Sequence, residues 1–110
     1  MSYRLIIKDR ATQDLRQLAN YILVNGNADV AVNFLSAAEV TFQQLLKTPG
    51  MGKITQFVVS KLGEIRQWRI KNFNDYLIFY RIQDNTVEIL RIFHRARDLA
   101  DVISQLDEES

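Results

Sequence analysis

Two runs dense in β-branched and aromatic residues, Tyr76–Ile82 and Val87–Phe93, flank Asp84-Asn85, and this arrangement limits the chain's options more than any other. Such residues suit a pleated, half-buried surface. Asp and Asn tolerate the positive φ that a two-residue hairpin turn requires. The pattern predicts an antiparallel hairpin with Gln83 opposite Thr86, Arg81 opposite Glu88, Phe79 opposite Leu90 and Leu77 opposite Ile92. Alternation then puts Leu77, Phe79, Leu90 and Ile92 on one face, with Arg81 and Glu88 as an opposite-charge pair. The other face carries Tyr76, Ile78, Tyr80, Ile82, Val87, Ile89 and Phe93, interrupted by Arg91. An antiparallel hairpin ordinarily keeps one face wet, but both faces here are apolar. The Leu90–Ile92 face is expected to lie toward helices. The second needs a cover too, from local segments or from a protein partner, since large exposed apolar patches usually mark interaction sites.

Upstream, Tyr3–Lys8 reads as a short strand, and Asp9 is placed to cap the helix that follows. Ala11, Leu15, Leu18, Ile22 and Leu23 recur at helical spacing, and Asn25-Gly26-Asn27 ends that helix. A second helix is expected from about Ala28 to Lys47, with the stripe Ala31, Phe34, Leu35, Ala38, Phe42, Leu45 and Leu46, stopped by Thr48-Pro49-Gly50. Two helices joined so closely form a hairpin whose stripes must bury apolar surface. Each large side chain buried there contributes roughly 1.5–3 kcal/mol. Pro49–Gly63 reads as a loop in which Gln56–Val59 adds a short irregular strand. Glu64–Ile70 is a strand, and Asn72–Asp75 a turn into the central hairpin. Leu99, Val102, Ile103 and Leu106 suggest a short amphipathic C-terminal helix whose acidic end opposes the helix dipole. The order β-α-α-β-β-β makes an α+β domain: a helical hairpin packed on a small, mostly antiparallel sheet.

A chain of 110 residues supports one domain, residues 1–110, with a single core. No apolar run is long enough to span a bilayer, and no leader pattern opens the chain, so no membrane association is expected. With no cysteine and one histidine, neither a disulfide scaffold nor a conventional metal site is expected, and no cofactor. Absence of cysteine also fits a reducing cytoplasm. The net charge of +1 is small but uneven. Between Lys61 and Arg97 there are eight basic residues against four acids, whereas the remainder carries six against nine. The positive field therefore sits on the strands, where it either solvates a surface or steers an acidic partner or phosphate backbone.

Three stretches carry a family resemblance: Lys47-Thr48-Pro49-Gly50-Met51-Gly52, Tyr76-Leu77-Ile78-Phe79-Tyr80-Arg81, and Glu88 through Leu99, EILRIFHRARDL. With the order of elements, they resemble the RelE/ParE superfamily of type II toxins, and within it the ParE branch. The similarity runs from Tyr3 to about Ile103, with Arg95 standing where relatives frequently have glycine. It implies a bacterial, plasmid- or chromosome-encoded cytoplasmic toxin of the plasmid-stabilisation type, causing growth arrest. The partner it implies is a small antitoxin, expected to be of the ribbon-helix-helix type, with a homodimer or a toxin–antitoxin heterotetramer as possible assemblies.

ParE-like toxins act on DNA gyrase, whereas the RelE branch cuts messenger RNA on the ribosome. Ribonuclease chemistry needs a base, an acid and cations for the phosphate. Set against the RelE branch, the basic strand positions are Trp68, Ile70 and Leu77 here, and the C-terminal tyrosine is Ile103; only Arg97 matches. The reading is therefore a non-enzymatic gyrase inhibitor with no catalytic residue. The alternatives are a ribosome-dependent endoribonuclease using His94 and Arg97, or an inactive homologue that only binds its antitoxin. His94 is expected to be structural, bonded to backbone at the strand end. Expected antitoxin or target contacts are Arg66, Trp68, Arg69, Phe73, Tyr80, Arg81, Arg91, Arg95 and Arg97, because Trp and Arg most often dominate interface energetics. Arg81 is alternatively held by Glu88.

Overall fold

A computed structural model of the chain describes residues 2–55, 62–98, 100–101 and 104–105. The elements are β1 (Arg4–Ile7), α1 (Asp9–Asn25), α2 (Ala28–Lys47), a 3-10 turn (Pro49–Met51), β2 (Lys53–Ile54), β3 (Arg66–Ile70), β4 (Phe73–Gln83) and β5 (Thr86–His94). They form the expected α+β architecture, two helices on one mixed five-stranded sheet of order β1-β5-β4-β3-β2. Only β1 runs parallel to its neighbour β5; the other pairings are antiparallel. Gln56–Val59 lies outside the described residues, as does the whole predicted C-terminal stripe of Leu99, Val102, Ile103 and Leu106. Ala100, Asp101, Ser104 and Gln105 have helical backbone.

The helices start and stop close to expectation, with two changes. Asp9 is not the cap: Lys8 takes that position without a side-chain bond, and Asp9 sits in the first turn, where its charge favours the helix dipole. Asn27 caps α2 instead, its side chain accepting from the Val30 amide at 2.9 Å. Within the stripes, Leu23 and Leu35 are exposed rather than core. Leu15, Leu18, Ile22 and Leu46 are partly buried, and Ala19, Asp14 and Thr41 are buried with the rest of the stripes.

The central hairpin departs from the predicted register in a way that reorganises both faces. Asp84 does adopt positive φ, and pairing holds from Gln83–Thr86 to Tyr80–Ile89. There it slips: Phe79 pairs with Arg91, so Leu90 is an extra residue on β5, a β-bulge. A one-residue insertion inverts the alternation beyond it. Ile92 therefore joins Ile78, Tyr80, Val87 and Ile89 under the helices, against Phe34, Phe42 and Leu45. Phe93 joins Leu90 and Phe79 on the opposite face. The face expected under the helices, Leu77–Phe79–Leu90, is thus the outer one. It is capped within the chain by Ile65, fully buried, and Leu62. The expected turn at Asn72–Asp75 is also shorter: Asn72 takes positive φ and β4 already begins at Phe73.

The bulge has a cause. β1 is four residues long and pairs only with Thr86–Ile89, so among the described residues the second half of β5 has no strand neighbour on that side. α1 takes its place there, and Asp14 accepts from the Ile92 amide at 3.0 Å. A buried backbone donor without a ladder partner needs such an acceptor.

Candidate functional site

The predicted site residues separate into an internal group and a surface group. Tyr80 is fully buried, its hydroxyl donating to the Pro49 carbonyl at 2.6 Å and accepting from the Gly52 amide at 2.9 Å. Arg66 donates to the carbonyl oxygens of Gly50 and Gly52 at 3.1 and 2.7 Å, locking the same turn. A Cβ on Gly52 would overlap the Tyr80 ring, which explains why glycine stands there. Arg81 is held by Glu88, with Nε and Nη2 at 3.1 and 3.0 Å from Oε2, and reaches the Leu62 carbonyl. Arg91 is buried, paired with Asp14 and stacked 4.4 Å over Phe93. Tyr80 and Arg91 are thus buried and bonded within the chain. Arg81 takes the structural alternative.

The surface group lies where β3 ends, β4 begins and β5 ends, because antiparallel neighbours bring those three termini to one end of the sheet. β2 pairs only with Arg66 and Gln67, so among the described residues Trp68 and Arg69 have no strand partner on that side, and the guanidinium lies 4.9 Å over the indole. Phe73 is half-buried, edge-on to Phe34 and Tyr76. Arg95 is exposed, pairing with Asp75 at 3.6 Å. Arg97 pairs with Asp101 at 3.7 Å and lies 5.0 Å over Phe93. Arginines over aromatic faces in partly wet surroundings are attracted by the ring quadrupole.

Beside this end, along α1 and the second half of β5, lies a groove of about 370 Å³ whose polar lining is Arg10, Asp14, Gln17, Tyr21, Arg91, His94, Arg97 and Gln105, with Leu18, Ile92 and Phe93 among its apolar residues. His94 does face the helices, but because the bulge turned it there. Its bond to backbone is also present: Nδ1 accepts from the Ala96 amide at 3.0 Å, and its ring meets Tyr76 edge-on at 5.1 Å. The neutral imidazole therefore carries its proton on Nε2, and its single lone pair is occupied. The Tyr76 phenol is pushed above its ordinary value, first by burial and then by neighbouring Tyr21 and Asp75, so it remains a protonated donor at neutral pH. Ile103, at the position of the RelE-branch tyrosine, lies outside the described residues.

Asp14 and Tyr21 were missed by sequence reasoning. The signal for Asp14 was present: it falls at helical spacing between Ala11, Leu15 and Leu18, and an acid on an apolar stripe demands a buried partner. Among the described residues no cluster of three or more His, Asp or Glu is placed to hold a metal, and no helix is long and apolar enough to cross a membrane.

A helical hairpin packed on a mixed five-stranded sheet with an arginine-rich strand end is a fold of the RelE/ParE type. The model for the ParE toxin of the type II toxin–antitoxin system parDE matches residues 5–99, and the chain belongs to that family. Among solved structures it resembles the chromosomal ParDE system of P. aeruginosa, with TM-score 0.72 and 16% identity over 84% of this chain and 96% of that one. The RelBE2 toxin–antitoxin complex of Mycobacterium tuberculosis matches with TM-score 0.57 and 28% identity, covering 88% and 95%. A double-arginine mutant of E. coli RelE in the free state matches with TM-score 0.60 and 14% identity, covering 99% and 97%. No curated protein sequence matches the chain.

Proposed function

We propose that this toxin acts by docking onto DNA gyrase rather than by cutting RNA, and that a cognate antitoxin holds it inactive. The observation that carries this reading is the state of His94. Its only basic lone pair is taken by the Ala96 amide, and a general base must be free to accept a proton. Arg97 offers a guanidinium, which can hold a phosphate but is suited to neither general-acid nor general-base work. Trp68 and Leu77 occupy positions where the RelE branch has cations. Trp68, Arg69, Phe73, Arg95 and Arg97 cluster at one sheet end and are the surface through which the toxin meets its target or antitoxin. The ParDE and RelBE2 structures it resembles are a toxin–antitoxin system and complex, which supports an antitoxin partner here. The toxin then works in the cytoplasm, where gyrase and antitoxin are.

The second reading is a ribosome-dependent endoribonuclease, favoured by one observation: His94 and Arg97 line the same groove. Purified toxin added to gyrase supercoiling reactions separates the two. Loss of supercoiling with accumulation of linear DNA supports docking. Cleaved messenger on translating ribosomes, with gyrase unaffected, supports the nuclease.

A further inference from the structure

From Gln17 to Ala38 the chain holds one charged side chain, Asp29, where its average of 25% charged residues would place about five in 22. The stretch is not a buried core. It covers the second half of α1, the Gly26-Asn27 connection and the first half of α2, and 15 of its residues are exposed. Leu23 and Val24 on α1, and Val32 and Leu35 on α2, are large apolar side chains left in solvent, Val24 at 72% exposure and Val32 at 61%. The two helices pack as an antiparallel hairpin, which sets the last turn of α1 beside the first turns of α2. These four side chains therefore gather at its tip. Neutral amides surround them: Asn20, Asn25, Asn27 and Asn33 are all exposed.

Folding does not call for this surface. The inward faces of the same helices bury Ala19, Phe34 and Ala38 in the main core, and the exposed residues stand outside it. Loss of charge is what separates the centre of a protein interface from ordinary surface, and homodimer interfaces are the most apolar. The sign of the charge also selects the occupant. An acidic or basic partner needs opposite charge to read, and the tip offers neither sign. A two-fold contact brings one patch against itself, so every charge on it meets its own kind. A patch stripped of charge escapes that repulsion and is suited to its own copy. Asp29, the single exception, lies in the first turn of α2, where the helix dipole offsets it. The 15 exposed residues fall short of the roughly 20–30 a side of a standard interface, so the contact is that of a weak, reversible dimer.

We propose that the tip of the helical hairpin is a self-association surface, through which two copies of the toxin pair about a two-fold axis. Leu23, Val24, Val32 and Leu35 form its centre. This stands independently of the gyrase and antitoxin readings.

Sedimentation equilibrium of the purified full chain from about 1 to 200 μM tests it, with a reversible monomer–dimer equilibrium expected in that range. Val24→Glu and Val32→Glu each set like charges face to face and should raise the dissociation constant about tenfold or more. Ile54→Glu places the same charge on exposed β2, past the far end of α2 from the tip, and should change it by no more than about twofold. Mixing Val32→Glu with Val32→Lys should restore dimers, because opposite charges then meet. Thermal melts confirm that each variant is folded. Wild-type toxin that stays monomeric throughout overturns the proposal, as do dimers that Val24→Glu and Val32→Glu leave unchanged. A monomeric toxin whose Val24→Glu variant binds the antitoxin encoded beside its gene more weakly also overturns it, and makes the antitoxin the occupant of the tip.

Discussion

Asp14 on α1 and Arg91 on β5 form a buried bidentate ion pair, 77 residues apart in sequence, with the guanidinium Nε and Nη2 at 2.8 and 3.0 Å from the two carboxylate oxygens. The same carboxylate accepts the Ile92 amide that the bulge frees from the ladder. One side chain thus anchors the first helix, ends the need for a longer β1, and sets the phase of every residue from Ile92 to His94.

Removing one partner of this pair should therefore be severe. Asp14→Ala leaves a buried guanidinium and an unpaired amide, a loss of about 3–5 kcal/mol. In a domain of this size that lowers the melting temperature by roughly 15 °C or more. The double variant Asp14→Leu/Arg91→Met should recover part of the loss in thermal and denaturant unfolding. A double variant no more stable than Asp14→Ala would show that the charge itself is not the cost.

The latch at the end of α2 depends on a hydroxyl and a missing methyl. Tyr80→Phe orphans the Gly52 amide and the Pro49 carbonyl and should cost about 1–3 kcal/mol. Gly52→Ala drives a Cβ into the Tyr80 ring and should cost at least as much, because the packed core cannot yield. Urea unfolding of both variants measures this, and a Gly52→Ala protein as stable as wild type would refute the packing.

Stability should fall on the alkaline side. Burial raises the Tyr80 phenol above its ordinary value, only partly offset by the Gly52 hydrogen bond and Arg66, and burial also raises Tyr76. A group whose folded value is raised favours the folded state below its unfolded value and loses that contribution as pH climbs through the folded one. The window therefore opens near the unfolded phenol value of about 10 and lies above it. Melting temperatures measured from pH 8 to pH 11.5 should decline across that window, less steeply in Tyr80→Phe than in wild type.

His94 is expected to be dispensable for toxicity. His94→Ala removes an edge-on contact with Tyr76 worth about 0.5–1.5 kcal/mol and one backbone bond, leaving the fold intact. Expression without antitoxin should still arrest growth. A folded variant that no longer does so would mean the groove takes part in the toxic act itself.

Much of this molecule is visible in residue patterns because the forces behind them are local. The α2 boundaries follow from a stripe and a Pro-Gly stop, the hairpin tip from Asp84, the Arg81–Glu88 pair from the near-turn register. Leu23 and Leu35 were misplaced because helical spacing says which residues share a face but not how wide the covering sheet is. Tyr80 and Arg91 look like contact residues in sequence, since their type favours interfaces, and only three-dimensional neighbours show that both are buried.

From the amino-acid order alone came the element types, the layer arrangement and the resemblance of the Tyr76–Leu99 stretch to known toxins, all consequences of periodicity and short-range chemistry. Tertiary structure alone settled which hairpin face lies under the helices and which way His94 points. Those depend on one inserted residue at Leu90, and a bulge is chosen by what stands beside the strand. Asp14 stands there because β1 stops after four residues, a long-range circumstance that no local window of sequence contains.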